Sequence, residues 1–235
     1  MPVEERIRHL TGYFRGQLDR IQALTLPGDT DAENNALGFY KKALLVTALD
    51  TLAGLRYPKA NYPELNGQNQ KRFISFVVES GAWPEGSLTS IPFLEKKNLR
   101  PGKLLDLVRQ RLAQRQDNRE FSVPLANIDL TTPELLKAAS TEQEEKAVRE
   151  NQHFVLLYRY RNYLVHESRV PGYAMEISED EAPYYHGYLN DNRLYLCYPL
   201  AHFVKLVADG IAYLEGFLQA HQIDPYDFVS DTSAW

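Results

Sequence analysis

Apolar residues recur every three or four positions through most of the chain, a spacing that places them along one side of an α-helix. Comparable patterns run from residue 3 to 24, from 31 to 57, over 67–82, over 100–116 and from Leu200 to Gln222. In the first of them the apolar positions are Ile7, Leu10, Phe14, Leu18 and Ile21. The sequence therefore predicts a mainly α protein, built as an antiparallel bundle of helices.

The second helical segment ends before Pro58, since proline cannot continue a helix. Its spacing predicts one inward-facing stripe, made of Leu37, Tyr40, Leu44, Thr47 or Ala48, Thr51 and Leu55.

The strongest internal helical pattern runs from about Thr141 to about His166. Thr141 is followed three residues later by Glu144, which matches a capping box at a helix start. After Pro171-Gly172 the period changes, because "PYYHGYL" and "RLYLCY" favour strands and "NDN" between them favours a turn. The sequence thus predicts a single domain over 1–222, with a β-hairpin insertion over about 173–198 before the last helix and a tail over 223–235.

Charge and cysteine content narrow the classes of function. The net charge of −5 argues against a broad, non-specific nucleic-acid binder but permits a local basic patch. The single Cys197 excludes an intrachain disulfide and a cysteine-based zinc cluster. The charged start "MPVEERIRHL" is not a signal peptide, and no apolar stretch approaches a membrane span. We therefore expect a cytoplasmic protein that does not enter the membrane.

Cations concentrate between positions 96 and 119. This run is either a solvated helix face or a surface that follows an RNA backbone, and the sequence leaves both readings open. Its basic residues are Lys96, Lys97, Arg100, Lys103, Arg109, Arg111, Arg115 and Arg119.

Polar residues also gather where the long helix ends, in "YRYRNYLVHESR". Five residues on a helix correspond to about 140° of rotation and about 7.5 Å of rise, so Arg161 and His166 should share no face unless the helix frays. Imidazole moves protons near neutral pH and guanidinium binds phosphate, which suits phosphodiester cleavage. With a 2′-hydroxyl nucleophile the substrate would be RNA, and no metal or other cofactor would be needed. The alternative is a cationic helix C-terminus that complements the helix dipole, with Asn162 ending the helix.

The segment "RNYLVHES" at the end of a long helix resembles the motif of the HEPN superfamily, in which an Arg and a polar neighbour precede a His by four to six residues. "ALLVTALDTLAGLRYP" and "KRFISFVVE" are also similar to the leading helices of such proteins. The resemblance implies a helical bundle, a homodimer that joins two motifs, and metal-independent endoribonuclease activity. It also implies a toxin–antitoxin or antiviral defence setting, with an antitoxin or a defence-complex protein as a further partner.

By this resemblance Arg161 would activate the scissile phosphate, Asn162 would support it, and His166 would act as acid or base. The flanking residues Arg159, Arg169 and Tyr163 would contact RNA. Ser168 stands where one branch of the superfamily has a tyrosine whose nucleotidylation silences the toxin, so that control is not expected here. The alternative function is a non-catalytic HEPN-like module that binds RNA, a nucleotide or a partner protein.

Overall fold

The computed structural model describes residues 1–27, 31–114, 122–169, 181–188 and 191–229. These residues are mainly α-helical with a few short strands, which confirms the predicted fold class at that level. The α-helices are α1 (Val3–Ala23), α2 (Asp31–Arg56), α3 (Asn69–Glu79), α4 (Ile91–Glu95), α5 (Lys103–Ala113), α6 (Thr132–Ala138), α7 (Glu142–Glu150), α8 (His153–His166), α9 (Leu200–Ala220) and α10 (Tyr226–Val229). The strands are β1 (Leu88–Thr89), β2 (Ser122–Pro124), β3 (Leu130–Thr131), β4 (Tyr184–Tyr188) and β5 (Asp191–Cys197).

The chain divides into two compact units. The first comprises Met1–Trp83, Arg161–Arg169 and Phe203–Trp235, and the second comprises Pro84–Tyr160 and Val170–His202. Helices α8 and α9 each contribute residues to both units. The single domain over 1–222 stays a prediction. Residues 170–180, 115–121 and 230–235, which hold part of the predicted hairpin insertion, Arg115, Arg119 and the end of the tail, lie outside the described residues.

The core of the first unit is built from the apolar sides of α1, α2, α3 and α9. Helix α1 buries the predicted Ile7, Phe14, Leu18 and Ile21. The start of the predicted tail belongs to this unit, since Asp224 pairs with Arg6 and the hydroxyl of Tyr226 lies 2.6 Å from His9 Nδ1. The buried residues of α3 and α9 are Phe73, Phe76, Val77, Phe203, Leu206, Val207, Ile211, Leu214 and Leu218.

The side of α2 that is buried differs from the side that the sequence predicts. Tyr40 is 52% exposed and Leu44 is 45% exposed, and Thr47 and Thr51 are exposed as well. The segment is apolar around most of its circumference, so periodicity finds a stripe without saying which stripe the core takes. The apolar residues that α2 buries are Leu45, Val46, Leu49, Leu52 and Ala53.

The predicted continuous helix from 141 to 166 is wrong, because the structure breaks it between α7 and α8. The carbonyl of the buried Asn151 accepts the backbone N–H of Ser90 at 2.9 Å, and Gln152 forms an antiparallel β-bridge with Thr89. Because these contacts come from a distant segment, the local sequence pattern does not predict them. The start at Thr141 is confirmed: its hydroxyl accepts the Glu144 N–H at 3.2 Å, while the Glu144 carboxylate accepts from Ser140 rather than from Thr141.

The predicted hairpin is confirmed as the antiparallel pair β4 and β5. The sequence did not indicate that β2 would join it, giving a three-stranded sheet in the order β2-β4-β5 with Val123 opposite Tyr185. Tyr184, Tyr185 and His186 are all buried. Tyr184, Tyr185 and His186 therefore serve the packing of the second unit.

Gly86 supplies a test of packing in the second unit. A Cβ atom there would lie 2.3 Å from Cε1 and 2.6 Å from Cδ1 of the buried Phe154 ring. Gly86→Ala is therefore expected to lower the free energy of unfolding by about 1–3 kcal/mol, because an overpacked core must shift. Denaturant titration measures this.

Gly54→Ala is the matched control for Gly86→Ala. It lies within α2, and no atom stands within 4 Å of the added carbon. The control is expected to gain about 0.5–1 kcal/mol, since alanine is the better helix former. Equal stabilities of wild type and Gly86→Ala would contradict the packing described around Phe154.

Candidate functional site

Arg161, Asn162 and His166 form one cluster of side chains in the first unit. Arg161 Nη1 lies 2.7 Å from His166 Nε2 and donates to Asn162 Oδ1 at 3.0 Å. Helix α8 continues to His166 without fraying, so the two residues stand on different faces of the helix and only their side chains meet. The arginine side chain is long enough to reach around the last turn to the final residue of the helix.

The contact between Arg161 and His166 sets the direction of their hydrogen bond. A guanidinium N–H only donates, so Nε2 of His166 is the acceptor in this contact. His166 is exposed, so a ligand can reach the ring. A buried ring would have excluded a role in catalysis.

Asp50 of α2 anchors the guanidinium of Arg161. One carboxylate oxygen, Oδ2, accepts from Nε and also pairs with Nη2, which leaves Nη1 toward Asn162 and His166. The side chains are only 14% exposed for Arg161 and 19% for Asp50. Burial raises the pKa of the Asp50 carboxyl, and the charge and hydrogen bond of Arg161 oppose that rise. This anchor holds the guanidinium in one orientation.

Arg72 of α3 adds a second guanidinium to the surroundings of Asp50. It is half-buried and donates to Asn69 Oδ1 at 3.2 Å. Its positive charge, like that of Arg161, favours the ionised form of Asp50. Sequence reasoning missed both Asp50 and Arg72, because they lie on other helices, and Asp50 is 111 positions away from Arg161. The available signal was an acidic residue beside the apolar stripe of α2.

The three flanking residues predicted to contact RNA separate into two places. Tyr163 and Arg169 lie in the first unit, where the Arg169 guanidinium stacks over the Tyr163 ring at 4.2 Å and donates to Glu167 at 2.7 Å. Arg159 belongs to the second unit and lies 3.9 Å from a carboxylate oxygen of Glu150. The structure therefore joins Tyr163 with Arg169 and gives Arg159 a different neighbour.

A second polar cluster, which sequence reasoning also missed, lies inside the second unit. The Asp129 carboxylate accepts from the Tyr185 hydroxyl at 2.8 Å and lies 2.6 Å from His153 Nε2. The side chains of Asp129 and His153 are 0% exposed. Burial and the Asp129 charge raise the pKa of Tyr185 well above its ordinary value. This closed network ties β4 to α8, and no substrate can reach it.

Within the part of the chain that the structure describes, no three His, Cys, Asp or Glu side chains converge as the ligands of a metal ion would. None of the described helices combines the length and the apolar character needed to cross a membrane.

Comparison of the chain with protein-family models, with curated proteins and with solved structures finds no match. The resemblance to the HEPN superfamily therefore rests on the motif and on the two leading-helix segments of the sequence. Function has to be argued from the geometry around Arg161 and His166.

Proposed function

We propose that the protein is a metal-independent endoribonuclease of the HEPN type, with Arg161, Asn162 and His166 at its site. The observation that carries this proposal is the contact between the Arg161 guanidinium and the imidazole of an exposed His166. A phosphate-binding group and a proton-transferring group lie side by side at a helix end that a ligand can reach. The toxin–antitoxin or antiviral setting, with its antitoxin or defence-complex partner, comes from the resemblance alone and belongs to the same proposal.

The reaction that suits these groups is attack by the RNA 2′-hydroxyl on its own phosphodiester. One imidazole takes the 2′-hydroxyl proton while the O2′–P bond forms and the P–O5′ bond breaks. Arg161 stabilises the negative charge on the phosphoryl oxygens as the bonds change. A proton delivered to O5′ completes the step, leaving a 2′,3′-cyclic phosphate and a 5′-hydroxyl. Asp50 keeps the guanidinium oriented, so little ordering remains to be done when the phosphate binds.

A single imidazole cannot act as base and acid in the same step, so the proposal includes a homodimer. A second copy of the chain would supply the other His166 across a two-fold axis. The exposed stripe of α2 supports this arrangement, because Tyr40, Leu44 and Thr47 present an apolar surface to solvent. Asp50, which anchors Arg161, lies one turn beyond Thr47 on the same helix. Contact through this stripe would place two copies of the cluster near one axis.

Leu44→Glu tests the homodimer. A carboxylate in the stripe would oppose its own copy across the two-fold axis, so the variant is expected to be monomeric by sedimentation. Cleavage is then expected to fall about 10²–10⁴-fold, the contribution of one general acid or base. Leu24→Glu, at a 39% exposed leucine outside the stripe, is the matched control and is expected to behave as wild type. A monomeric wild type that cleaves RNA would rule out the two-copy site.

The function itself is tested by incubating the protein with RNA and with DNA of the same sequence in excess EDTA. We expect the RNA alone to be cut, leaving 2′,3′-cyclic phosphate ends. A chimeric strand with a single 2′-deoxynucleotide at the cleavage site is expected to resist. RNA bound but left intact would instead favour the non-catalytic module, and cleavage of the DNA strand would refute 2′-hydroxyl attack.

A further inference from the structure

The second unit carries an exposed group of cations in the segment that follows α4 and on α5, which we term the α4–α5 basic surface. Among the described residues none of these cations lies within ion-pair distance of a carboxylate. This contrasts with Lys146 and Lys205, each of which pairs with an acid one turn away. The surface comprises Lys96, Lys97, Arg100, Lys103 and Arg109, and all five are exposed.

Arg111 belongs to the same sequence run but not to the surface. Its Nε donates to the carbonyl of Ile128 at 3.0 Å, and Nη1 reaches Gln114. The structure thus divides the predicted run into an arginine that ties α5 to a loop and cations that face solvent. Only the latter are open to a partner.

Two of these cations, Arg100 and Lys103, do not stabilise α5. Lys103 is the first residue of the helix and Arg100 precedes it closely, yet a positive charge at a helix N-terminus opposes the helix dipole. Gly102 at the N-cap position offers no side-chain acceptor to the first backbone N–H groups. Asp106 is the single acid of the first turn. Cations kept at an unfavourable position, together with uncapped N–H groups, suit an anionic ligand.

Nucleic acid fits this surface better than a lipid membrane does. A basic segment that binds membranes presents large apolar residues beside its cations, and these enter the lipid. The large apolar side chains that are exposed among the described residues, such as Tyr13, Tyr40 and Val78, all belong to the first unit. Contacts with a phosphate backbone need only cations and hydrogen-bond donors. The α4–α5 basic surface offers these, and the Phe93 ring that lies 5.0 Å from Lys96 Nζ is half-buried.

We infer that the α4–α5 basic surface binds the phosphate backbone of single-stranded RNA. The choice of RNA as the polyanion rests on the proposed function. The surface holds no imidazole, so it contributes to the affinity for the substrate and leaves bond cleavage to the Arg161 cluster. Because the protein has a net charge of −5, a local positive surface favours the recruitment of RNA.

The test measures binding of a fluorescent 2′-O-methyl RNA over a series of NaCl concentrations. This probe lacks the attacking hydroxyl and so stays intact whether or not the protein is a nuclease. The first variant replaces Lys96, Lys97, Arg100 and Lys103 by Gln. The control variant makes the same change in net charge at exposed cations elsewhere, replacing Arg8, Arg20, Lys59 and Lys137 by Gln.

We expect the first variant to bind at least about tenfold more weakly near 0.1 M salt, with the slope of log affinity against log salt reduced by about 3, the value for four lost phosphate contacts. The control variant should bind as wild type does. Equal losses in both variants, or none in the first, would overturn the inference. Binding of the wild type to phosphatidylserine vesicles through the same four cations, without binding to RNA, would overturn it in favour of a lipid surface. Absence of RNA cleavage by the wild type would count against the proposed function and leave these binding results in force.

Discussion

Replacing His166 by alanine is expected to slow RNA cleavage by about 10²–10⁴-fold, the contribution of a general acid or base. The exposed imidazole is the group in the cluster that can exchange protons near neutral pH. The loss should appear in the rate of cleavage under single-turnover conditions, with RNA binding retained. His221→Ala, which removes another exposed imidazole of the first unit, is the matched control and should cleave as wild type does.

The effect of His166→Ala on stability should be small. Exposed positions usually change the free energy of unfolding by less than about 0.5 kcal/mol. A thermal unfolding curve that matches wild type therefore separates lost chemistry from lost structure. A variant that folds normally and still cleaves at the wild-type rate would show that His166 is not the acid or base.

Arg161→Ala is expected to lower both activity and stability. Loss of the group that stabilises charge on the phosphate should reduce the cleavage rate by about 10²–10³-fold. Stability should fall by about 1–3 kcal/mol, because the largely buried Asp50 carboxylate would be left without its guanidinium partner. Denaturant titration and single-turnover cleavage measure the two losses separately.

Two further variants separate the loss of cleavage from the loss of stability. Asp50→Asn in the Arg161→Ala background removes the unpaired carboxylate, so stability should recover while cleavage stays low. Arg161→Lys keeps the charge but has no planar fork, and it cannot reach Asp50, Asn162 and His166 together. It should therefore remain far below wild type in cleavage. Full activity in Arg161→Lys would mean that the phosphate is recognised by charge alone.

Local pattern was enough to predict α1, α2, α3, α5, α9 and the hairpin, because these depend on spacing along a short segment. Pattern failed where distant segments decide the structure. The helix breaks at Asn151, whose carbonyl accepts the backbone N–H of Ser90. Strand β2 pairs with β4, which lies some sixty positions further along the chain. Helix α2 shows a third limit, since a helix that is apolar around most of its surface does not reveal which side the core will take.

The candidate site was likewise predicted only in part from the sequence. The motif residues Arg161, Asn162 and His166 were predicted from the sequence through the resemblance to the HEPN motif, since their chemistry and spacing alone left a cationic helix end as an alternative. The direct contact between Arg161 and His166 depends on the length of the arginine side chain, because an ideal helix separates the two positions by about 140°. Asp50 was missed, because its one signal in the sequence is an acidic residue beside the apolar stripe of α2, and the packing of α2 is what brings it to Arg161.

The central claim is that Arg161 and His166 act together in one cleavage site, and a double-mutant cycle tests it most directly. Single-turnover cleavage of RNA in excess EDTA would be measured for wild type, Arg161→Ala, His166→Ala and the double variant. Because residues that act as a unit show strongly non-additive losses, the double variant is expected to be about as slow as the slower single variant. Losses that multiply in the double variant, or wild-type cleavage by either single variant, would contradict the account.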